Sequence, residues 1–142
     1  LSLEMIGPKC YRELLVPVYR QILDIFGPAG KRLLVHYDGR LRGVADDIAS
    51  LDIDGIDSFS GPPEGDMTAA EARARWPEKF LWAHPSLGWY REAPDTLAAS
   101  IRRLAQDAGP SRYCLMISEE VPSNWESTIP LVLETLDAMA DA

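Results

Sequence analysis

The sequence predicts an α/β fold built on a parallel sheet. Two observations carry this. Four short β-type apolar runs begin near Arg32, Gly55, Lys79 and Tyr113. The segments around them repeat apolar residues every three or four positions, the period of an amphipathic helix. Strands alternating with helices imply parallel pairing through right-handed crossovers. The 142 residues suit one domain with its own core.

The elements follow in order. Tyr11, Leu14, Leu15, Val18, Ile22 and Ile25 mark a first helix over residues 9–26, with a kink or a helix start at Pro17. Gly27-Pro28-Ala29-Gly30 stops it. Arg32 to Tyr37 is the first strand and ends in Asp38-Gly39. Leu41, Val44, Ile48 and Leu51 define the next helix, and Gly55 to Phe59 the second strand. Thr68 and Glu71 form a capping box that opens a helix to about Trp76. Lys79 to Ala83 is the third strand. A helix over residues 94–108 follows, with Leu97, Ile101, Leu104 and Ala108 on one face, closed by Gly109-Pro110. Tyr113 to Ile117 is the fourth strand. Ile129, Val132, Leu133, Leu136 and Met139 mark the last helix. Residues 1–142 therefore read as a leading helix plus four βα units.

Composition excludes several function classes. No apolar run approaches the roughly 20 residues that span a bilayer. The formal net charge is −8 and the basic residues are scattered, which argues against nucleic acid and anionic membranes as partners. The two cysteines, Cys10 and Cys114, make neither a disulfide scaffold nor a zinc ribbon. They fit a reduced, cytoplasmic chain, with Cys114 buried and inert in its strand. No secretory leader is evident, and the start at Leu1 instead of Met suits a fragment. No phosphate loop, dinucleotide fingerprint or GxSxG elbow occurs. The four tryptophans read as core or rim packing.

Four parallel strands allow a small doubly wound sheet or half of an eight-stranded βα barrel. In both, chemistry gathers at the carboxyl ends of the strands. Those ends read His36-Tyr37-Asp38, Ser58-Phe59-Ser60, Ala83-His84-Pro85-Ser86 and Ser118-Glu119-Glu120, and they hold both histidines of the chain. His36 and Asp38, two apart in an extended segment, share a face. They can hold a divalent metal with Glu119 or Glu120 as third ligand, or act as an acid–base pair. The bland alternative is an Asp-Gly turn beside a locally bonded histidine. His84 is a second ligand, a substrate contact, or a histidine fixed before Pro85. The stiff stretch from Gly61 to Asp66 is a pocket rim or a rigid connector.

These residues also carry a resemblance. Tyr11-Arg12-Glu13-Leu14-Leu15-Val16-Pro17-Val18-Tyr19, Leu34-Val35-His36-Tyr37-Asp38-Gly39, Gly55-Ile56-Asp57-Ser58-Phe59, the stretch from Pro62 to Arg73, and Ile117-Ser118-Glu119-Glu120-Val121-Pro122 come in the order and spacing of the C-terminal half of the uroporphyrinogen decarboxylase superfamily. The resemblance implies the C-terminal half of a TIM (β/α)8 barrel, with the N-terminal half missing or replaced by self-association into a homodimer. It also implies two chemistries. Zinc methyltransferases of the superfamily serve corrinoid proteins and thiols through a His-x-Cys strand and a later Cys. His36 matches the first ligand, Asp38 stands at the first Cys, and Glu119 stands near the second. Carboxylates in place of thiolates keep a divalent metal, zinc foremost, but harden the site. The other chemistry is metal-free decarboxylation, with Arg40, Arg42 and Arg91 as candidate partners of substrate carboxylates. The expected catalytic and metal-binding set is His36, Asp38 and Glu119. The expected contacts to a small-molecule substrate are His84, Ser86, Arg40 and Asp66, and a corrinoid would come on a partner protein. A third expectation is an inactive half-barrel that self-associates.

Overall fold

The computed structural model describes residues 3–117 and 122–140. The leading helical segment starts earlier than its periodicity indicates. Helix α1 (Leu3–Cys10) bends at Gly7, whose φ of 72° suits a residue without a side chain. A π-helical turn (Tyr11–Leu15) follows, then α2 (Val16–Phe26). Pro17 lies in the first turn of α2, directly after the π-helical turn, in which the Val16 amide donates to the Tyr11 carbonyl. The four strands are β1 (Leu34–His36), β2 (Gly55–Ser60), β3 (Phe80–His84) and β4 (Tyr113–Leu115). Between them lie α3 (Ala45–Ser50), α4 (Ala69–Arg75) and α5 (Pro94–Ala108), and α6 (Trp125–Ala140) closes the chain. The Thr68–Glu71 capping box is complete, with both reciprocal bonds made. The Thr68 amide, then the Arg42 guanidinium, hold the Glu71 carboxyl at about 2.

All pairings are parallel, and the strand order is β1-β2-β3-β4. This sequential order has none of the reversal that marks a doubly wound sheet. Right-handed crossovers between sequential neighbours place every helix on the same face. Burial agrees. Val35, Ile56, Leu81 and Ala83 are buried against Ala45, Ile48, Ala72, Trp76, Leu104 and Ala108. Their alternates, Leu34, His36, Asp57, Trp82 and His84, are half-buried or exposed. The structure is thus consistent with half of a βα barrel, whose inner face would be the open one.

Cys114 belongs to that open face. It is exposed, against the expectation of burial. The reason is position: β4 is an edge strand, and its residue in register with Trp82 has no layer above it.

The amino ends of the strands are held by two cations, the part-buried Arg73 and the buried Lys79. Arg73 donates from Nε to the Ala108 carbonyl (2.7 Å) and from its two Nη atoms to those of Lys79 (2.8 Å) and Arg112 (2.9 Å). It thereby joins the end of α5 to the starts of β3 and β4. The Lys79 ammonium, 8% exposed, donates to the carbonyls of Leu51 (2.6 Å) and Ile53 (3.1 Å), and burial lowers its pKa. Trp76 Nε1 donates to the Ala45 carbonyl (2.9 Å).

At the other flank a tyrosine cluster locks α1–α2 onto β1. The Tyr11 and Tyr37 hydroxyls are 2.6 Å apart, and Tyr19 packs edge-on against Tyr37. Burial pushes Tyr11 up to about 12 and Tyr37 further, so both stay protonated. Gly55 is required by a close approach: a Cβ there would sit 2.5 Å from the Phe80 carbonyl oxygen.

Arg73→Met removes charged donors from several carbonyls at once. It should cost about 2–4 kcal/mol in urea denaturation, with an unchanged m-value. A loss below about 0.5 kcal/mol would mean that water serves these carbonyls as well as the guanidinium does.

Candidate functional site

The polar residues at the carboxyl ends of β1 and β2 form one constellation. His36 closes β1 and is in register with Asp57 of β2. Its Nδ1 lies 3.0 Å from Asp57 Oδ2, and its Nε2 lies 3.3 Å from Asp38 Oδ2. The Ser58 hydroxyl donates to the other oxygen of Asp38 at 3.2 Å. The chain Asp57–His36–Asp38–Ser58 therefore runs across two strands. His36 and Asp57 are 40% and 35% exposed, so the imidazole is reachable from solvent and only partly screened by it.

The local chain path explains how one strand reaches both ends of this arrangement. In a regular strand Asp57 and Ser58 would point to opposite faces. The β2–β3 register shifts between Ile56 and Phe59, and Ser58 has a φ of 65°. Such a bulge re-aims side chains. Here Asp57 reaches His36 while the buried Ser58 reaches Asp38. Neither Asp57 nor Ser58 was singled out from the sequence. The available signal was a carboxylate inside a parallel strand, a place usually given to apolar residues.

The other expected residues are distributed around this group. Arg40 is exposed in the loop after β1, and its backbone amide donates to Glu4 Oε1 (2.9 Å). Asp66 accepts from the amides of Leu41 (2.8 Å) and Arg42 (3.0 Å), so one of its oxygens is spent on holding that loop. Arg42 donates to the Asp66 carbonyl (2.7 Å) and to Glu71 (2.9 Å). His84 and Ser86 come together in a separate cavity of about 240 Å³ beneath Gly61 and Pro62, walled by α5. The Gly61–Asp66 stretch is thus a rim, with a cis bond between Pro62 and Pro63. Ser86 is buried and donates to Glu64 (2.9 Å). Glu119 and Glu120 lie outside the described residues.

A tetrahedral metal site with arms of about 2.0 Å has donor-to-donor edges of about 3.3 Å. The separation of His36 Nε2 from Asp38 Oδ2 equals such an edge. A carboxylate on the far nitrogen of a metal-bound histidine is the usual outer partner, and Asp57 occupies that place. The same 3.3 Å separation is that of an ordinary histidine–carboxylate contact. Among the described residues no group of three His, Cys, Asp or Glu side chains is placed to hold one. No protein family, curated protein or solved structure matches the chain.

Ser58 adopts a conformation that costs a non-glycine residue about 1–2 kcal/mol. Ser58→Gly should therefore be more stable than Ser58→Ala by about that amount in chemical denaturation. Equal stabilities would show that the bulge relaxes when the hydroxyl is removed.

Proposed function

We propose that this chain is the C-terminal half of a uroporphyrinogen-decarboxylase-like βα barrel. Its strand ends serve metal-assisted transfer, most concretely of a methyl group to a corrinoid or thiol acceptor. The observation that carries the reading is the His36–Asp38 pair, 3.3 Å apart at the mouth of a sequential parallel sheet. His36 Nε2 and Asp38 Oδ2 would hold a divalent ion, with Glu119 as the proposed third ligand. A bound zinc would supply Lewis acidity, or a nucleophile of lowered pKa, at neutral pH. Ser58 keeps the second oxygen of Asp38 turned away, so the first stays aimed at the imidazole side. His84 and Ser86, in their own cavity, are the proposed contacts for the remainder of the substrate. Decarboxylation of a polycarboxylate has less support. It calls for converging cations, and Arg42 is already spent on the Asp66 carbonyl and Glu71.

Elemental analysis of the purified chain after zinc loading tests the reading. About one zinc per chain is expected, with affinity reduced about 10-fold or more in Asp38→Asn, because a primary ligand is lost. Absence of bound zinc from the native chain, or equal affinity in the variant, would sink the site.

A second reading has its own support. The sheet has an open face bearing Trp82, and among the described residues no strand pairs with the outer edge of β1 or β4. An apolar cleft of about 730 Å³ runs beside β4 between α5 and α6. Leu14, Val18, Ile25 and Phe26 of the leading segment are exposed at the opposite flank. Parallel sheets are almost always covered on both faces, and unpaired edges invite strand addition. The isolated chain is therefore proposed to self-associate. Sedimentation should give a species heavier than the 15.8 kDa monomer. Trp82→Glu should shift it toward monomer. A native chain that sediments as a monomer across micromolar concentrations would reject this reading.

A further inference from the structure

We infer that Asp57 is the positioning residue of this site. It fixes His36 as the Nδ1–H tautomer and leaves Nε2 as a lone-pair donor facing Asp38, in support of the metal-assisted reading above. The argument starts from the two nitrogens. A neutral imidazole carries one N–H and one lone pair, and each nitrogen of His36 faces a carboxylate oxygen. Of these two carboxylates, Asp57 is the better placed to take the N–H.

Three observations favour Asp57. It is the closer, at 3.0 Å against 3.3 Å. It is also the less exposed, at 35% against 52%, so its attraction for the proton is less screened. It sits on β2 in direct register with His36, whereas Asp38 lies beyond the end of β1 and gives an oxygen to Ser58. With the proton on Nδ1, the Nε2 lone pair confronts an Asp38 oxygen at 3.3 Å. The bulge at Ser58 belongs to the same device, because it lets adjacent residues of one strand brace the histidine and the carboxylate separately.

Long-range proton–nitrogen NMR of the imidazoles tests this without reference to activity. The chain has two histidines, and His84→Gln isolates the His36 signals. At alkaline pH the native protein should show His36 as Nδ1–H. Asp57→Leu should move it to the Nε2–H form that free imidazole prefers. Zinc affinity, measured by competition with a chromophoric chelator, should fall about 10- to 100-fold in Asp57→Leu. It should stay within about 3-fold of native in Asp57→Asn, whose amide oxygen still accepts from Nδ1. A native spectrum showing Nε2–H overturns the inference, and it needs no variant to fold. So does an unchanged His36 tautomer in a folded Asp57→Leu. A tautomer shift in Asp57→Leu combined with no zinc binding by the native chain upholds the role of Asp57 and rejects the metal reading.

Discussion

Everything in this structure depends on the sequential order of its strands. Each crossover steps to the adjacent strand, and the right-handed rule for such connections gathers the helices on one side. The helix side can then be filled with small and aliphatic residues, which is why Ala45, Ala72, Ala83 and Ala108 lie deep in the core beside Trp76 and Ile48. The other side is left to the strands' alternate residues. Those residues are chemically diverse because no helix packs on them: His36 and Asp57 would each be costly against an apolar layer, and Trp82 and Cys114 stand exposed beside them.

The two ends of the sheet are divided between stability and chemistry. At the amino ends, Arg73 and Lys79 donate to backbone carbonyls near the helix and strand termini. Lys79, a buried cation bonded to neutral carbonyls, is tolerable because two of its protons have directed acceptors. At the carboxyl ends the loops are held differently. Asp66 takes two amides of the loop after β1, and Arg42 returns the contact through the Asp66 carbonyl and Glu71. That clasp holds the loop after His36 and Asp38 in place without using either of them.

At the Ser58 bulge a local preference is overridden. A β-strand serine at φ 65° is disfavoured, and nothing in the run Gly55–Phe59 announces it. The distortion persists because pairing on both sides of β2 over-determines it, through Val35 and Ile56 on one flank and Phe59 and Ala83 on the other. Its product is the polar chain from Asp57 to Ser58 through His36 and Asp38. The proposed transfer chemistry would rest on a strand irregularity as much as on the side chains themselves.

Periodicity, turn residues and the Thr68–Glu71 cap were sufficient to find four strands and the helices between them, because these are short-range effects written in neighbouring residues. The bounds of α5 are those its apolar spacing predicts. The same logic placed His36 and Asp38 together, since residues two apart in a strand share a face. It went wrong at Cys114, where an apolar run signals burial but the strand is an edge with an open face, and it did not see Asp57 or Ser58. Their roles depend on which strand lies beside β1, in what register, and on a bulge held by both neighbours. Pairing register is a long-range property, decided by the packing of the whole sheet. A sequence can therefore determine which residues sit at a strand's end, while only the tertiary structure decides which of them meet.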